Sequence, residues 1–511
     1  MVGEGDLMED PMWVSMMVWT TWLLIAIIID GVMVPLKMYF SRKSMRQVGK
    51  IIPEKELPPV TVVVPAHNEE DHIESCLLSI IQNEYPDKKM EIIVVDDGSK
   101  DNTINLVKKI EVDAIMHGVD LKLIKKGHTG KVHTLNTGIR SSNGEIIITI
   151  DADIRLDEYA VKNVVQAFVE DETVGAATGY IEIEWDETRN EDIKSMFFSK
   201  CEFLEYLSSF NFERSYQSFI DSIYTMSGAF SAFRRNTIGG MGGYWPVTVS
   251  EDMHITMMLH NKKINIVNVP DAVAHAQAIT DYDTLYSQRV RWARGQLEVA
   301  AMRQDKSVAE QETSLREILG IVKDQKDPRM LSLVIDYMKN VISDRKERLK
   351  GRQFRYFDLL GLQRILFVDH TIAFPRLIWV FVLLLFPVMG LYTYLLPVIM
   401  VLMYLFYVLI DVAVIMFSYH YSPPQTREKI EKSFHYVALL PFYRLITFCF
   451  RVSAFLHILK EPADWKVEGP VNGFKNGVKD AKDGFSANVA TTIFQIGHIF
   501  NLGNLWRRRG K

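Results

Sequence analysis

Glu91-Ile92-Ile93-Val94-Val95-Asp96-Asp97-Gly98-Ser99 decides the fold. Four β-branched residues in a row, without alternation of apolar and polar positions, read as a short parallel strand covered on both faces. Two carboxylates close that strand, and Gly98-Ser99 then turns the chain into a helical pattern from Asn102 to Glu111. Upstream, Val60-Thr61-Val62-Val63-Val64 is a second strand of the same kind, and a helical pattern, Glu69 to Gln82, leads from it to Glu91. Glu145 to Ile150 is a third, and it too ends on carboxylates, Asp151-Ala152-Asp153. Strands alternating with helices predict an α/β fold, a Rossmann-like open sheet with right-handed crossovers. Ligands of such sheets bind beyond the carboxyl ends of the strands, where the acidic clusters fall. No GxGxxG follows any strand, which argues against a dinucleotide cofactor.

The 511 residues and formal net charge of -5 leave no basic stripe for nucleic acid, so no nucleic-acid partner is expected. Cys76, Cys201 and Cys449 lack the spacing of a zinc site or redox motif. Apolar stretches of membrane length flank the strand-and-helix region. Trp13 to Leu36 follows an acidic stretch and has neither a basic n-region nor a small-residue cleavage site, so it reads as a retained anchor. Lys37, Arg42, Lys43, Arg46 and Lys50 behind it predict, by the positive-inside rule, that the chain from Ser41 onward starts in the cytoplasm. Leu377 to Tyr394 and Leu396 to Phe417 read as two further spans; Tyr436 to Ile458 is a third candidate, interrupted by Arg444 and Arg451. Charges at that depth must face protein or water, which makes this segment a pathway-lining span or an interfacial helix. The expected organisation is an anchor at 1–50, an α/β domain at 51–304 and a charged helical insertion at 305–353. An interface helix (Phe354 to Ala373) and spans follow at 354–466, and a tail at 467–511. The protein is expected in the cell membrane as a multi-pass chain in contact with lipid.

The clusters suggest one chemistry. A nucleotide-sugar leaves a charged diphosphate behind when its glycosidic bond breaks, and a divalent cation neutralises that charge. Mg²⁺ or Mn²⁺ takes one or two carboxylates plus phosphate oxygens, which Asp151 and Asp153 offer at a strand exit. Asp151 then also borders the donor sugar. Asp96 and Asp97 suit a nucleoside base or ribose, although a local helix cap at Ser99 or Asp101 explains the stretch equally well. Pro65 to Glu70, with Pro65 and Glu69, forms either the start of a helix or a wall of the nucleotide pocket. Lys131, in a loop with Gly127 and Gly130, is a candidate for the diphosphate or a solvated lysine. Glu251-Asp252 opens a helical pattern, where carboxylates complement the helix dipole. A carboxylate there can also take the proton of an attacking hydroxyl; Asp252 is the favoured base and Glu251 its rival. Gln288-Arg289-Val290-Arg291-Trp292 sets Gln288, Arg291 and Trp292 on one helix face. The indole suits an acceptor sugar, and Arg289 or Arg291 suits the diphosphate. A basic patch packed on the membrane by a tryptophan is the competing explanation.

Taken together, Pro65 to Glu70, Asp96-Asp97, Asp151-x-Asp153, Ser227-Gly228 with Arg234-Arg235, Glu251-Asp252 and Gln288-x-x-Arg291-Trp292 resemble family 2 glycosyltransferases. More narrowly they resemble the membrane-embedded processive type that includes cellulose, hyaluronan and poly-N-acetylglucosamine synthases. The likeness covers roughly Val60 to Arg294. It implies a GT-A fold with flanking transmembrane helices, an inverting single displacement, a metal at the DxD, Asp252 as base, and Trp292 near the acceptor sugar. A UDP-sugar is the favoured donor, and a growing glycan or a lipid the acceptor; the sequence names no accessory subunit and leaves open whether there is one. Ser250 stands where the family commonly has threonine, and the insertion at 305–353 is a larger departure. Two other readings stay open: transfer of a single sugar to a lipid such as a polyprenyl phosphate, and a non-catalytic membrane protein with a degenerate transferase domain. Retention of every carboxylate speaks against the latter.

Overall fold

The computed structural model describes residues 27–45, 56–86, 88–185, 192–301 and 395–458, with three isolated positions before them. The insertion at 305–353, the interface helix, the span at 377–394, the tail and most of the first anchor lie outside the described residues. After a π-helical turn at Ile27–Gly31, helix α1 is Val32–Met45. The α/β region then runs β1 (Val60–Ala66), α2 (Ile73–Ile81), β2 (Met90–Asp96), α3 (Thr103–Met116), β3 (Asp120–Lys125), α4 (Lys131–Ser141) and β4 (Ile146–Ile150). It continues with β5 (Arg155–Leu156), α5 (Ala160–Glu170), β6 (Val174–Glu184), α6 (Ile193–Tyr206), a π-helical stretch at Leu207–Glu213 and α7 (Arg214–Phe219). The rest is β7 (Phe230–Arg234), α8 (Arg235–Gly240), α9 (Glu251–Asn261), β8 (Asn265–Gln277) and α10 (Tyr282–Ala301). Three C-terminal helices complete the described chain: α11 (Leu395–Tyr421), α12 (Pro424–Ser433) and α13 (Leu440–Ile458).

Eight strands form one sheet in the order β3-β2-β1-β4-β7-β6-β8-β5. The first four are parallel, in the register Val60 to Met90, Val60 to Ile146 and Glu91 to Asp120. Strand β7 runs antiparallel to both β4 and β6, and β5 is antiparallel to β8. The unalternating strands are buried on both faces, as their sequence predicts: Val62 and Val64 join the core under α2 and α3, while Val63 joins a second core with α4 residues Val132, Leu135 and Ile139. Each such side chain, fully buried, contributes about 1.5–3 kcal/mol. Glu91 is one of the polar residues inside this wall, with Thr61, Asp96 and Thr149. It accepts from Thr61 Oγ1 at 2.6 Å, Lys122 Nζ at 2.6 Å, Asn143 Nδ2 at 2.8 Å and the Asn143 N–H at 3.0 Å, so it ties β2 to β1, β3 and the approach to β4.

Two helices, Met400–Tyr421 and Pro424–Arg451, are long and apolar enough to cross a membrane by length and composition. The charges inside them have partners. Arg444 donates to Asp411 at 2.5 Å, which explains how an arginine stands in this segment. Helix α13 packs along α10: Tyr286 Oη lies 2.6 Å from Ser453 Oγ, and Tyr282 and Phe450 meet edge to face.

Candidate active site

The carboxyl ends of β1, β2 and β4 open into one cleft of about 890 Å³. Pro65, Glu69, Asp97, Lys131, Asp151, Asp153, Glu251, Asp252, Gln288, Arg289, Arg291 and Trp292 all line it. Asn68, Glu70, Arg234 and Arg235, which the sequence also singles out, are absent from its lining, and so is Asp96. Its carboxylate instead accepts the N–H groups of Gly98 and Ser99 at 3.2 and 3.3 Å, closing the turn in which Gly98 has φ +79°.

At one end of the cleft stands Asp97, whose carboxylate accepts from Lys126, from the Thr129 N–H at 2.9 Å and from the Gly130 N–H at 2.8 Å. Burial opposes its ionisation, but these donors outweigh burial and hold the carboxyl well below the usual range. The rings of His67 and His128 lie beside it, 4.4 Å apart and 30° from parallel. Ligand atoms of His67, Asp97 and His128 are all within 4.8 Å of one another, but the Asp97 oxygens are already occupied by Lys126 and two backbone donors.

At the centre, Lys131 opens α4 and reaches across the cleft, 2.7 Å from Asp151 and 3.2 Å from Glu251. It thus joins the end of β4 to the start of α9. Asp151 is pushed up to about 6 by burial, against the pull of Lys131. Glu69 is pushed up to about 7 by burial and then by the negative fields of Asp153 and Asp151. Asp153 is exposed to the cleft. Three carboxyl groups that repel one another, all oxygen donors, are the set a hard cation such as Mg²⁺ or Mn²⁺ takes; the His67 group, with two nitrogens, fits it less well.

At the far end, Asp252 is pushed up to about 6 by burial and by neighbouring Glu251, while the N–H of Met253 donates to it at 2.7 Å. It remains a carboxylate at neutral pH and a stronger base than an ordinary aspartate. Helix α10 approaches the start of α9 closely, because a Cβ at Gly295 would stand 2.0 Å from Ser250 Oγ. Two further features went unread in the sequence. Arg289 is engaged already: it donates to Glu205 at 2.6 Å and to Tyr443 of α13 at 3.3 Å, and its guanidinium lies 4.6 Å from the Trp292 ring centre. Of the two arginines weighed for the diphosphate, this one is committed to holding the tryptophan and α13. Residues from α6 to α7 (Glu205, Tyr206, Phe210, Arg214, Gln217) and from α13 (Thr447, Arg451) also line the cleft. The former carry no motif; the latter were legible only as an arginine too deep in an apolar helix.

Residues 61–239 match the family model for glycosyl transferase family 2. The chain is 31% identical over 264 residues to a poly-β-1,6-N-acetyl-D-glucosamine synthase of Staphylococcus aureus (strain MSSA476), which covers 51% of this chain and 60% of that protein. It is 30% identical over 246 residues to the enzyme of the same name from Staphylococcus epidermidis, covering 48% and 56%. Among solved structures, the mannosyltransferase PcManGT from Pyrobaculum calidifontis, in complex with GDP-Man and Mn²⁺, matches with a TM-score of 0.42 and 20% identity over 68% of this chain and 98% of that one. The stretch at 61–239 is thus similar to family 2 glycosyltransferases. Over about half of its length the chain resembles the poly-N-acetylglucosamine synthases, and it spans about 60% of the length of the curated relatives it matches.

Proposed function

We propose that this chain is a membrane glycosyltransferase that moves a sugar from a nucleotide-sugar to a growing glycan, with inversion. The observation that carries the reading is the single cleft shared by Asp97, Asp151, Asp153, Asp252 and Trp292. Asp97 and the His67 wall take the nucleoside, and Lys131 orients the diphosphate. Asp151 and Asp153 hold the divalent cation, which when bound neutralises the charge left on the departing nucleotide. Asp252 accepts the proton of the attacking hydroxyl while that oxygen displaces the nucleotide from the anomeric carbon, a single displacement that inverts configuration. Trp292 carries the acceptor sugar on its ring face, held there by Arg289. A UDP-linked N-acetylhexosamine is the favoured donor, supported by the names of the relatives. The multi-pass arrangement with a cytoplasmic catalytic domain is part of this proposal, supported by the two apolar helices and the basic residues after the first apolar stretch.

The test uses membranes carrying the full chain and labelled UDP-N-acetylglucosamine. Product of high mass that needs Mg²⁺ or Mn²⁺ and is lost on adding EDTA is the expected result. A single-sugar product extractable into organic solvent would replace the glycan acceptor by a lipid, and nucleotide release unaffected by EDTA would remove the metal.

A further inference from the structure

One wall of the cleft has no role in the reading above. Helix α6 loosens at Leu207–Glu213 into a π-helical stretch, a form that tends to mark functional sites, and resumes as α7. Arg214 opens α7 and is 3% exposed, with its guanidinium 4.2 Å from the Phe210 ring centre. Its Nη1 has no hydrogen-bond partner, and among the described residues no carboxylate pairs with it. Gln217 lies one turn further on, is 2% exposed, and its Oε1 likewise has no partner. Both side chains line the cleft with Asp252 and Trp292. Tyr224, Asp252 and Tyr206 are the ionisable neighbours of Arg214. Burial lowers its pKa to about 10, which leaves it charged at neutral pH. A buried guanidinium without an ion pair and a buried amide without a partner are each costly, and both costs fall when a ligand supplies the missing groups.

The geometry points to Arg214 and Gln217 as the subsite for the acylamino group of the acceptor sugar, its carbonyl accepting from Arg214 and its N–H donating to Gln217. This rests on the glycosyl-transfer reading. A carboxylate would satisfy the arginine but offers no donor to the glutamine oxygen, and a lone hydroxyl is a poor acceptor for a guanidinium. An acetamido group carries the acceptor and the donor on one planar unit. The subsite depends on the orientation in which Gln217 Oε1 faces the ligand N–H, because half a turn of the amide would set its NH2 group against another donor.

The experiment uses the full chain in lipid nanodiscs with UDP-N-acetylglucosamine, and two primers: oligomers of N-acetylglucosamine, and oligomers of glucose in the same linkage. The unaltered chain should favour the acetylated primer in kcat/KM by about 10- to 100-fold. Arg214→Met and Gln217→Leu should each bring that ratio close to one by raising the KM for the acetylated primer, with the donor KM unchanged. Arg214→Lys should restore part of the preference. Should Arg214→Met fail to fold by thermal melt, Gln217→Leu decides. A preference that survives in the variants, or turnover that falls equally with both primers, overturns the subsite while leaving the transferase reading intact. No transfer by the unaltered chain from any UDP-sugar to either primer overturns that reading and the subsite together.

Discussion

Asp252 has a cost as well as a use. Its carboxyl titrates at about 6 because burial and Glu251 disfavour the charge. In its proposed role as base it must be ionised, so kcat/KM should fall as pH drops through about 6 and level off above it; a profile flat to pH 5 would remove Asp252 from the step. The sign for stability is the opposite. A carboxyl whose folded value lies above its unfolded one loses stability as pH rises from the ordinary aspartate range to about 6, and the loss is complete above that. At pH 8, Asp252→Asn should therefore melt a few degrees higher than the unaltered chain while turnover drops roughly 100-fold or more. A variant that is less stable as well as inactive would show that the carboxylate serves the fold. The acidic pairs were legible in the sequence because each closes a strand or opens a helix. Arg214 and Gln217 were not, since nothing in their neighbours distinguishes a cleft-lining turn of α7 from an ordinary core turn.

At the scale of elements, legibility followed how each strand obtains its burial. Strands β1, β2 and β4 carry their own signal, β-branched runs, and those of β2 and β4 run directly into acid. Strand β3 alternates around Leu121 and Leu123 with three charged residues at the sheet edge, and β6 begins Val-Gly-Ala-Ala-Thr-Gly, small residues buried only because β7 and β8 flank them. That half of the sheet depends on long-range pairing, which no local window contains. The same close packing governs α10. Gly295 lets the helix bearing Trp292 lie against Ser250, two residues before the proposed base Asp252, and an added methyl would meet Ser250 Cβ at 2.4 Å. Gly295→Ala should lower kcat/KM by roughly 10- to 100-fold by displacing the acceptor platform from Asp252. Adding Ser250→Gly should recover most of the loss. Failure of the pair to recover activity would mean that the helix spacing does not set the rate.

Across the whole molecule, the apolar helices are fixed to the catalytic sheet by buried charge as much as by packing. Glu182, on β6, is 2% exposed and accepts from Thr426 Oγ1 at 2.5 Å and from Lys429 Nζ at 2.5 Å, both on α12; His275 Nδ1 stands 3.9 Å away on β8. This junction lies at the start of the second helix long enough to span a membrane, so it fixes where the sheet stands relative to that helix. Removing the cation leaves a buried carboxylate short of its partner, which costs about 3–5 kcal/mol. Lys429→Met should accordingly lower the melting temperature of the detergent-solubilised chain and expose the segment around Pro423-Pro424 to protease. Replacing both members, Glu182→Gln with Lys429→Met, should return most of the stability, because burying a neutral amide costs far less than burying an unpaired charge. If the double variant melts as low as Lys429→Met alone, the pair is incidental, and α12 is held by Ile430 and its apolar neighbours in the core instead.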